Sequence, residues 1–361
     1  MSISVTHKPV TRVTNLNINN RGVRYLKKYI LILILSLSSS GAAEEKIKVC
    51  FSDPEKIRKS IPAPEESLIR LINSSSRNIN GAFYDISSMP VAQAFINASK
   101  RGVNIRLVTD SDNLSGKAIE SIIDSGIPVV EDNKQGLMHN KFAVIDGSTV
   151  YTGSTNTTDN CAYRNNNNSV IIHSSELADI YNAEFEEMFS HGVFGNRREV
   201  LPFAPLLNKY YVKIDDIHIN AYFSPENNVE KIINSRLKKA KCSIRFMAFS
   251  FTSDVIAETM ISRFKEGVTV EGVFERKGSN SEHSEFTKMM IEGLPVIKDR
   301  NHRIMHHKVI IIDDSIVITG SFNFSKNANR SNDENILIIE SREIASKYND
   351  EFSRVYKGGR R

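Results

Sequence analysis

Two apolar runs recur along the chain in matching company. A helical pattern closing on Arg101-Gly102 feeds Val103 to Val108, and another closing on Glu266-Gly267 feeds Val268 to Phe274. Each reads as a helix stopped by glycine and followed by a buried strand. The likeness extends outward: Ile79 to Asp110 runs parallel to Ile244 to Glu275, Val91-Ala92 answers Ile256-Ala257, and Phe51-Ser52-Asp53-Pro54 returns as Phe223-Ser224-Pro225. A repeat this long is a domain, far beyond a solenoid period. Strands alternating with helices make each copy an α/β unit. The expected fold is therefore α/β (a mixed α+β sandwich): two tandem domains, each a mixed β-sheet flanked by helices, related by a pseudo-dyad. Their expected bounds are 44–205 and 206–361, with the join in the Pro-containing stretch between His191 and Ile217.

Another apolar run, Tyr29 to Leu37, follows Lys27-Lys28 and precedes Ser38-Ser-Ser-Gly41-Ala42-Ala43. That is the order of a secretory signal peptide spanning 1–43, with cleavage expected after Ala43. The run falls short of the roughly 20 apolar residues a bilayer span needs, so a soluble, secreted or periplasmic product is expected. Composition adds little: 361 residues, 40% hydrophobic and 25% charged, exclude a collagenous, coiled-coil or wholly disordered chain. Charge adds more. The formal +5 and pI near 8.9 suggest nucleic acid. Yet Lys8, Arg12, Arg21, Arg24, Lys27 and Lys28 all lie in the leader, which holds no acid, so the remainder is nearly neutral. Cys50, Cys161 and Cys242 lack C-x-x-C spacing and are expected to be small buried residues, not metal ligands or a disulfide scaffold.

The chemistry stands at matching places. His139-Asn-Lys141, four residues, Asp146, six residues, then Gly153-Ser154-Thr-Asn156 recurs as His306-His-Lys308, four residues, Asp313, six residues, then Gly320-Ser321-Phe-Asn323. Seven fixed residues have odds of roughly 10⁻⁹ per starting position, so two matches are not accidents of composition. His and Lys two apart on a strand project to one face, as do the Ser and Asn. Phe142 to Ile145 and Val309 to Ile312 enter the core, and Asp146-Gly147 signals a hairpin that returns Gly153, Ser154 and Asn156 beside the first pair. Imidazole, ammonium, hydroxyl and amide then form a phosphate-binding set that calls for no metal or cofactor. By their turn positions, Asp146 and Asp313 read as structural hydrogen-bonding residues.

These residues resemble the phospholipase D superfamily, which its duplicated H-x-K-x4-D motif defines. The resemblance runs from Phe51 to about Tyr356. It implies a phosphodiesterase in which the two copies face each other across one phosphate. One His would form a covalent phosphohistidine while the other protonates the leaving oxygen and later activates water. The candidate catalytic set is His139, Lys141, Asp146, His306, Lys308, Asp313 and Glu334, with Ser154, Asn156, Ser321 and Asn323 on the phosphate. Glu334 follows His306 where the family places a carboxylate against the catalytic His, and Asn167 is its equivalent after His139. A Glu beside His306 would raise its pKa and suit it to donate a proton, leaving His139 the nucleophile; the reverse assignment stays open.

Complete motifs in both copies argue against an inactive binding module. A secreted endonuclease competes, because the stretch from His306 to Glu334 is similar to small bacterial nucleases of the superfamily, which carry one motif per chain. Fusion of both motifs, the leader and the neutral body favour a phospholipid substrate at a membrane surface, hydrolysed to phosphatidate by a monomer. An embedded cardiolipin synthase is disfavoured by the missing spans. His307, His173, His191, His218, His283 and His302 read as surface or satisfied core residues, Asn165 to Asn168 as a polar loop, and Lys357 to Arg361 as a solvated tail.

Overall fold

The computed structural model describes residues 45–52, 54, 63–132, 136–195 and 210–360. The leader and the domain boundary at 205/206 lie outside the described residues, and residues 46–361 cluster as one compact unit.

In the first half the order is β1 (Ile47–Phe51), α1 (Pro64–Ser74), β2 (Asn78–Phe83), α2 (Met89–Lys100), β3 (Asn104–Thr109), α3 (Lys117–Asp124), β4 (Val129–Glu131), β5 (Lys141–Ile145), β6 (Thr149–Gly153), α4 (Asp159–Tyr163), β7 (Asn168–His173) and α5 (Ser175–His191). The second half opens with an added strand, β8 (Tyr211–Ile214), and then repeats the series. It runs β9 (Ile217–Ser224), α6 (Val229–Leu237), β10 (Ser243–Ala248), α7 (Asp254–Lys265), β11 (Thr269–Phe274), α8 (Phe286–Ile291), β12 (Val296–Lys298), β13 (Lys308–Ile312), β14 (Ile316–Gly320), α9 (Lys326–Arg330), β15 (Glu334–Glu340) and α10 (Arg342–Arg360).

The seven-stranded sheet has the order β1-β7-β6-β5-β2-β3-β4, and the eight-stranded sheet repeats it as β9-β15-β14-β13-β10-β11-β12 with β8 on the outer edge. β2 pairs with β3 in parallel across α2, and β10 with β11 across α7, while the motif hairpins are antiparallel. Both crossover helices end as expected, with Gly102 and Gly267 at positive φ just beyond the last turn. The duplicated mixed α/β architecture read from the sequence is what the chain adopts.

Three apolar layers hold it together. Outer cores lie under α1, α2 and α3 on one sheet and under α6 and α7 on the other. The central core lies between the sheets, where α5 and α10 place Tyr181, Phe185, Tyr348 and Phe352 against Phe142, Phe223 and Met305. β5 and β13 are buried along their whole length, which explains their unbroken apolar runs. Lys357 is exposed, as expected of the tail, but the segment is helical. α10 continues to Arg360, with Val355 and Tyr356 buried, because its inner face belongs to the central core.

Candidate active site

Each motif hairpin delivers its residues as the spacing requires. His139 lies two residues before Lys141, which begins β5, and β6 returns Gly153 alongside β7. Gly153 and Gly320 have φ of 152° and 155°, and a Cβ on either would collide with the carbonyl oxygen of Asn168 or Asn335. Only glycine lets these strands close so tightly. Asp146 and Asp313 sit at the far end of the motif strands. Asp146 accepts from the backbone N–H groups of Ser76 (2.9 Å), Arg77 (2.7 Å) and Asn78 (3.0 Å), and Asp313 from those of Lys241 (2.9 Å), Cys242 (2.6 Å) and Ser243 (2.9 Å). These bonds hold both carboxyls below their usual range despite some desolvation. The two aspartates tie β2 and β10 to the hairpins and take no part in the cluster.

The halves meet by reciprocal backbone pairing. His139 N–H donates to Asp333 O (3.0 Å) and Asp333 N–H to Leu137 O (2.9 Å). Likewise His306 N–H donates to Asn166 O (2.8 Å) and Asn166 N–H to Ile304 O (2.9 Å). This crossing overturns the expected pairing of the histidines. Glu334 lies against His139, with Oε2 at 2.8 Å from Nδ1, and Asn167 lies against His306, with Oδ1 at 2.9 Å from Nδ1. Each partner is near one His in sequence and the other in space, because the segment that carries it crosses the pseudo-dyad.

Ser154 O also stands 3.0 Å from His306 Nδ1. A carbonyl only accepts, so Nδ1 carries the proton and Nε2 the lone pair. The Asn167 amide is oriented by donating to Cys161 O (3.2 Å). The serine hydroxyls, expected on the phosphate, are committed within the fold. Ser154 Oγ donates to Asn167 Oδ1 (3.2 Å) and accepts from Asn168 N–H (3.1 Å), while Ser321 Oγ accepts from Asn335 N–H (3.0 Å) and bonds to Glu334. They fix the partners of the histidines. Asn156 Oδ1 and Asn323 Oδ1 are buried without a partner, so these amides remain for a ligand.

Asn165 to Asn167 form the polar connection between α4 and β7, as expected, but the run is not exposed. All four are buried, and Asn168 Oδ1 accepts from Thr319 (2.7 Å) and Tyr348 (3.1 Å) across the interface. The polar run exists because buried strand ends must find cross-half partners. His307 is a satisfied core residue, as expected, between Glu351 (2.9 Å) and Asn168 (3.0 Å). Cys50 and Cys161 are buried, but Cys242 is exposed just before β10, and none of the three is in a disulfide.

Burial dominates the electrostatics. Lys141 and Lys308 are enclosed, each donating to the carbonyl of its own His at 2.7 and 3.1 Å. Desolvation lowers Lys141 to about 8 and Lys308 further. Desolvation, then the two lysines, pushes both histidines well below their ordinary value. Burial also pushes Glu334 up to about 8, against the pull of Lys141. The site without ligand thus holds neutral imidazoles beside weakened cations, and an anion would restore the charged forms. Tyr84 packs edge-on to His139 with Lys141 Nζ 5.1 Å from its ring centroid, and Phe249 does the same for His306 with Lys308 at 4.7 Å. Sequence reasoning passed over these aromatics, although they follow β2 and β10 at matching places in the repeat. Among the described residues no group of three or more His, Cys, Asp or Glu has the arrangement of a metal site.

Comparison with known proteins agrees with this constellation. The family described as cardiolipin synthase, PLD-like domain, matches residues 68–189 and 233–356. The chain is 31% identical over 154 residues to a phospholipase D of Rickettsia felis, covering 42% of this chain and 77% of that one. It is 33% identical over 124 residues to a mitochondrial cardiolipin hydrolase of Xenopus tropicalis, covering 34% and 59%. The phosphatidylserine synthase structure from Haemophilus influenzae shares the fold, with a TM-score of 0.65 and 14% identity over 87% of each chain.

Proposed function

Since the chain belongs to the phospholipase D-like family, whose phosphodiesterase chemistry its paired motifs carry, we propose that it hydrolyses the headgroup phosphodiester of glycerophospholipids to phosphatidate through a phosphohistidine. The observation that carries this reading is the facing pair of imidazoles, each with Nδ1 engaged and with Nε2 without a partner among the described residues. His139 Nε2 attacks phosphorus, forming a P–N bond as the P–O bond to the headgroup breaks. His306, protonated at Nε2 once the anion is bound, gives that proton to the departing oxygen. It then takes one from water, whose oxygen displaces His139 and releases phosphatidate.

Roles follow from the crossed partners. The phosphorylated imidazole is cationic while Nδ1–H remains, and the Glu334 carboxylate 2.8 Å away stabilises that charge. His306 has only neutral acceptors, so its imidazolium is a readier acid. The nucleophile remains His139, for a reason opposite to the one the sequence suggested. Lys141 and Lys308, with the Nδ2 groups of Asn156 and Asn323 donating, hold the non-bridging oxygens. We place the chain outside the cytoplasm through its leader, acting as a monomer on a membrane surface.

The test is headgroup release from phosphatidylethanolamine and phosphatidylglycerol vesicles beside nicking of plasmid DNA, with His139→Ala as the blank. Lipid hydrolysis alone supports the reading; DNA cleavage alone makes the protein a nuclease. Alkaline quench of His306→Ala should trap the phosphatidyl group on His139, and label on any other residue overturns the assignment.

A further inference from the structure

Two cavities beside the catalytic cluster are related by the pseudo-dyad and carry opposite charge. One, of about 470 Å³, is walled by Asp110, Asp112 and Asp132 with Gly136 and Ser331. Its counterpart, of about 290 Å³, is walled by Arg164, Arg300, Arg303 and Arg354. Counted from the paired motifs, Arg303 stands where the first half has Gly136, and Arg164 where the second half would repeat it has Ser331. The repeat supplies the same cavity twice, and among the described residues only one copy is lined by arginines.

The basic cavity adjoins the His306 half-site. Asn166, in its wall, bonds through its backbone to His306 and Ile304 and through Oδ1 to Asn301 Nδ2 (2.5 Å). Arg303 lies three residues before His306, and Arg164 three before Asn167, so each α-carbon is within about 11 Å of the residue it precedes. Arg354 is held by Glu351 at 2.8 and 3.1 Å. Asp299, the acid in this wall, is buried and accepts from the N–H groups of Arg276 (2.7 Å) and Asn301 (2.8 Å). Arg164, Arg300 and Arg303 have no ion-pair partner among the described residues. Three guanidiniums without an ion-pair partner among the described residues, around a small cavity, suit a tetrahedral oxyanion, which arginine binds through paired N–H donors.

We propose that this cavity is a leaving-group subsite for a second phosphate, and that the preferred substrate is a phosphodiester whose departing alcohol itself bears a phosphate or phosphodiester. The proposal rests on the assignment above of His306 as the acid, since the leaving oxygen then departs beside His306, whose backbone N–H is bonded to Asn166 in the cavity wall. A choline or ethanolamine headgroup would set a cation among the same arginines and is disfavoured. The chemistry is shared by two sources: a lipid with two phosphates bridged by glycerol, and a nucleic-acid strand.

The test compares the protein with its Arg164→Gln/Arg303→Gln variant. Calorimetric binding of glycerol 1,3-bisphosphate and glycerol 3-phosphate needs no turnover, so it stands even if the phosphodiesterase reading fails. The bisphosphate is expected to bind about tenfold more tightly or better, with the preference falling to near parity in the variant. Equal binding in the unaltered protein, or a preference that survives substitution, overturns the proposal. The source comes from kcat/KM on cardiolipin against phosphatidylglycerol vesicles, and on a thymidine dinucleotide with and without a terminal phosphate on its leaving nucleoside. A preference lost from the lipid arm assigns the lipid. One lost from the nucleotide arm keeps the subsite and removes the lipid reading above.

Discussion

Replacing Glu334 with Gln keeps size and an acceptor toward His139 Nδ1 but removes the negative charge that this carboxyl, raised to about 8 by burial, takes up once the imidazole beside it is cationic. The carboxylate is fully buried and 2.8 Å from that nitrogen, so no water can take its place. A hydrogen bond to a charged partner contributes about 1.5–3 kcal/mol. At 1.36 kcal/mol per factor of ten, that is roughly a ten- to hundredfold loss of rate. The charge matters after His139 has bonded to phosphorus, so the loss should fall on kcat and spare KM. Steady-state hydrolysis of bis(p-nitrophenyl) phosphate measures both constants, and alkaline quench measures how much phosphoenzyme accumulates. Asn167→Ala is the comparison, because it unseats His306 without touching a charge. A kcat within twofold of the unaltered protein, or a loss confined to KM, would show that Glu334 does not stabilise the cationic intermediate.

Asp146→Asn keeps the left-handed backbone at φ 53° but weakens acceptance from three N–H groups, so stability should fall by about 2–4 kcal/mol while the folded fraction turns over within about threefold. Denaturant melts paired with activity check this, and a lost kcat at unchanged stability would return Asp146 to the chemistry. Glu65 is buried with Oε2 unpartnered and is raised by desolvation to about 7, so the folded state holds its proton more tightly than the unfolded chain. Its contribution is fully present below about 4.5 and is lost as pH rises through 7, so Glu65→Gln should raise Tm at pH 8 by a few degrees relative to pH 5. An equal change at both pH values would refute it. Turnover is expected to persist in EDTA, since Lys141 and Lys308 supply the cations; loss restored only by added divalent metal would overturn the metal-free route.

Much of this was legible because chemistry and fold were written together. The apolar runs of β5 and β13 mark strands buried on both faces, and the Asp146-Gly147 signal places Gly153 back beside His139, as observed. The unread part was what lies across the pseudo-dyad. Sequence distance ties Glu334 to His306, but pairing of Leu137 with Asp333 carries it to His139, and no intrachain spacing reveals an exchange between equivalent halves. The same limit hid the burial of Asn166 to Asn168, each of which has a partner in the opposite half. It also hid the commitment of Ser154 and Ser321 to orienting Asn167 and Glu334.

The exchange of partners across the interface has a bearing on what joining the halves makes available. Two identical chains meeting about a true dyad must give both histidines the same neighbour, and the choice of which one attacks is then left to how the substrate enters. Here one covalent chain puts a carboxylate opposite one imidazole and an amide opposite the other. The two ends of a bound diester are therefore told apart before it arrives. Direction of cleavage becomes a property of the polypeptide, and either half taken alone would leave both imidazoles without the neighbours that distinguish them.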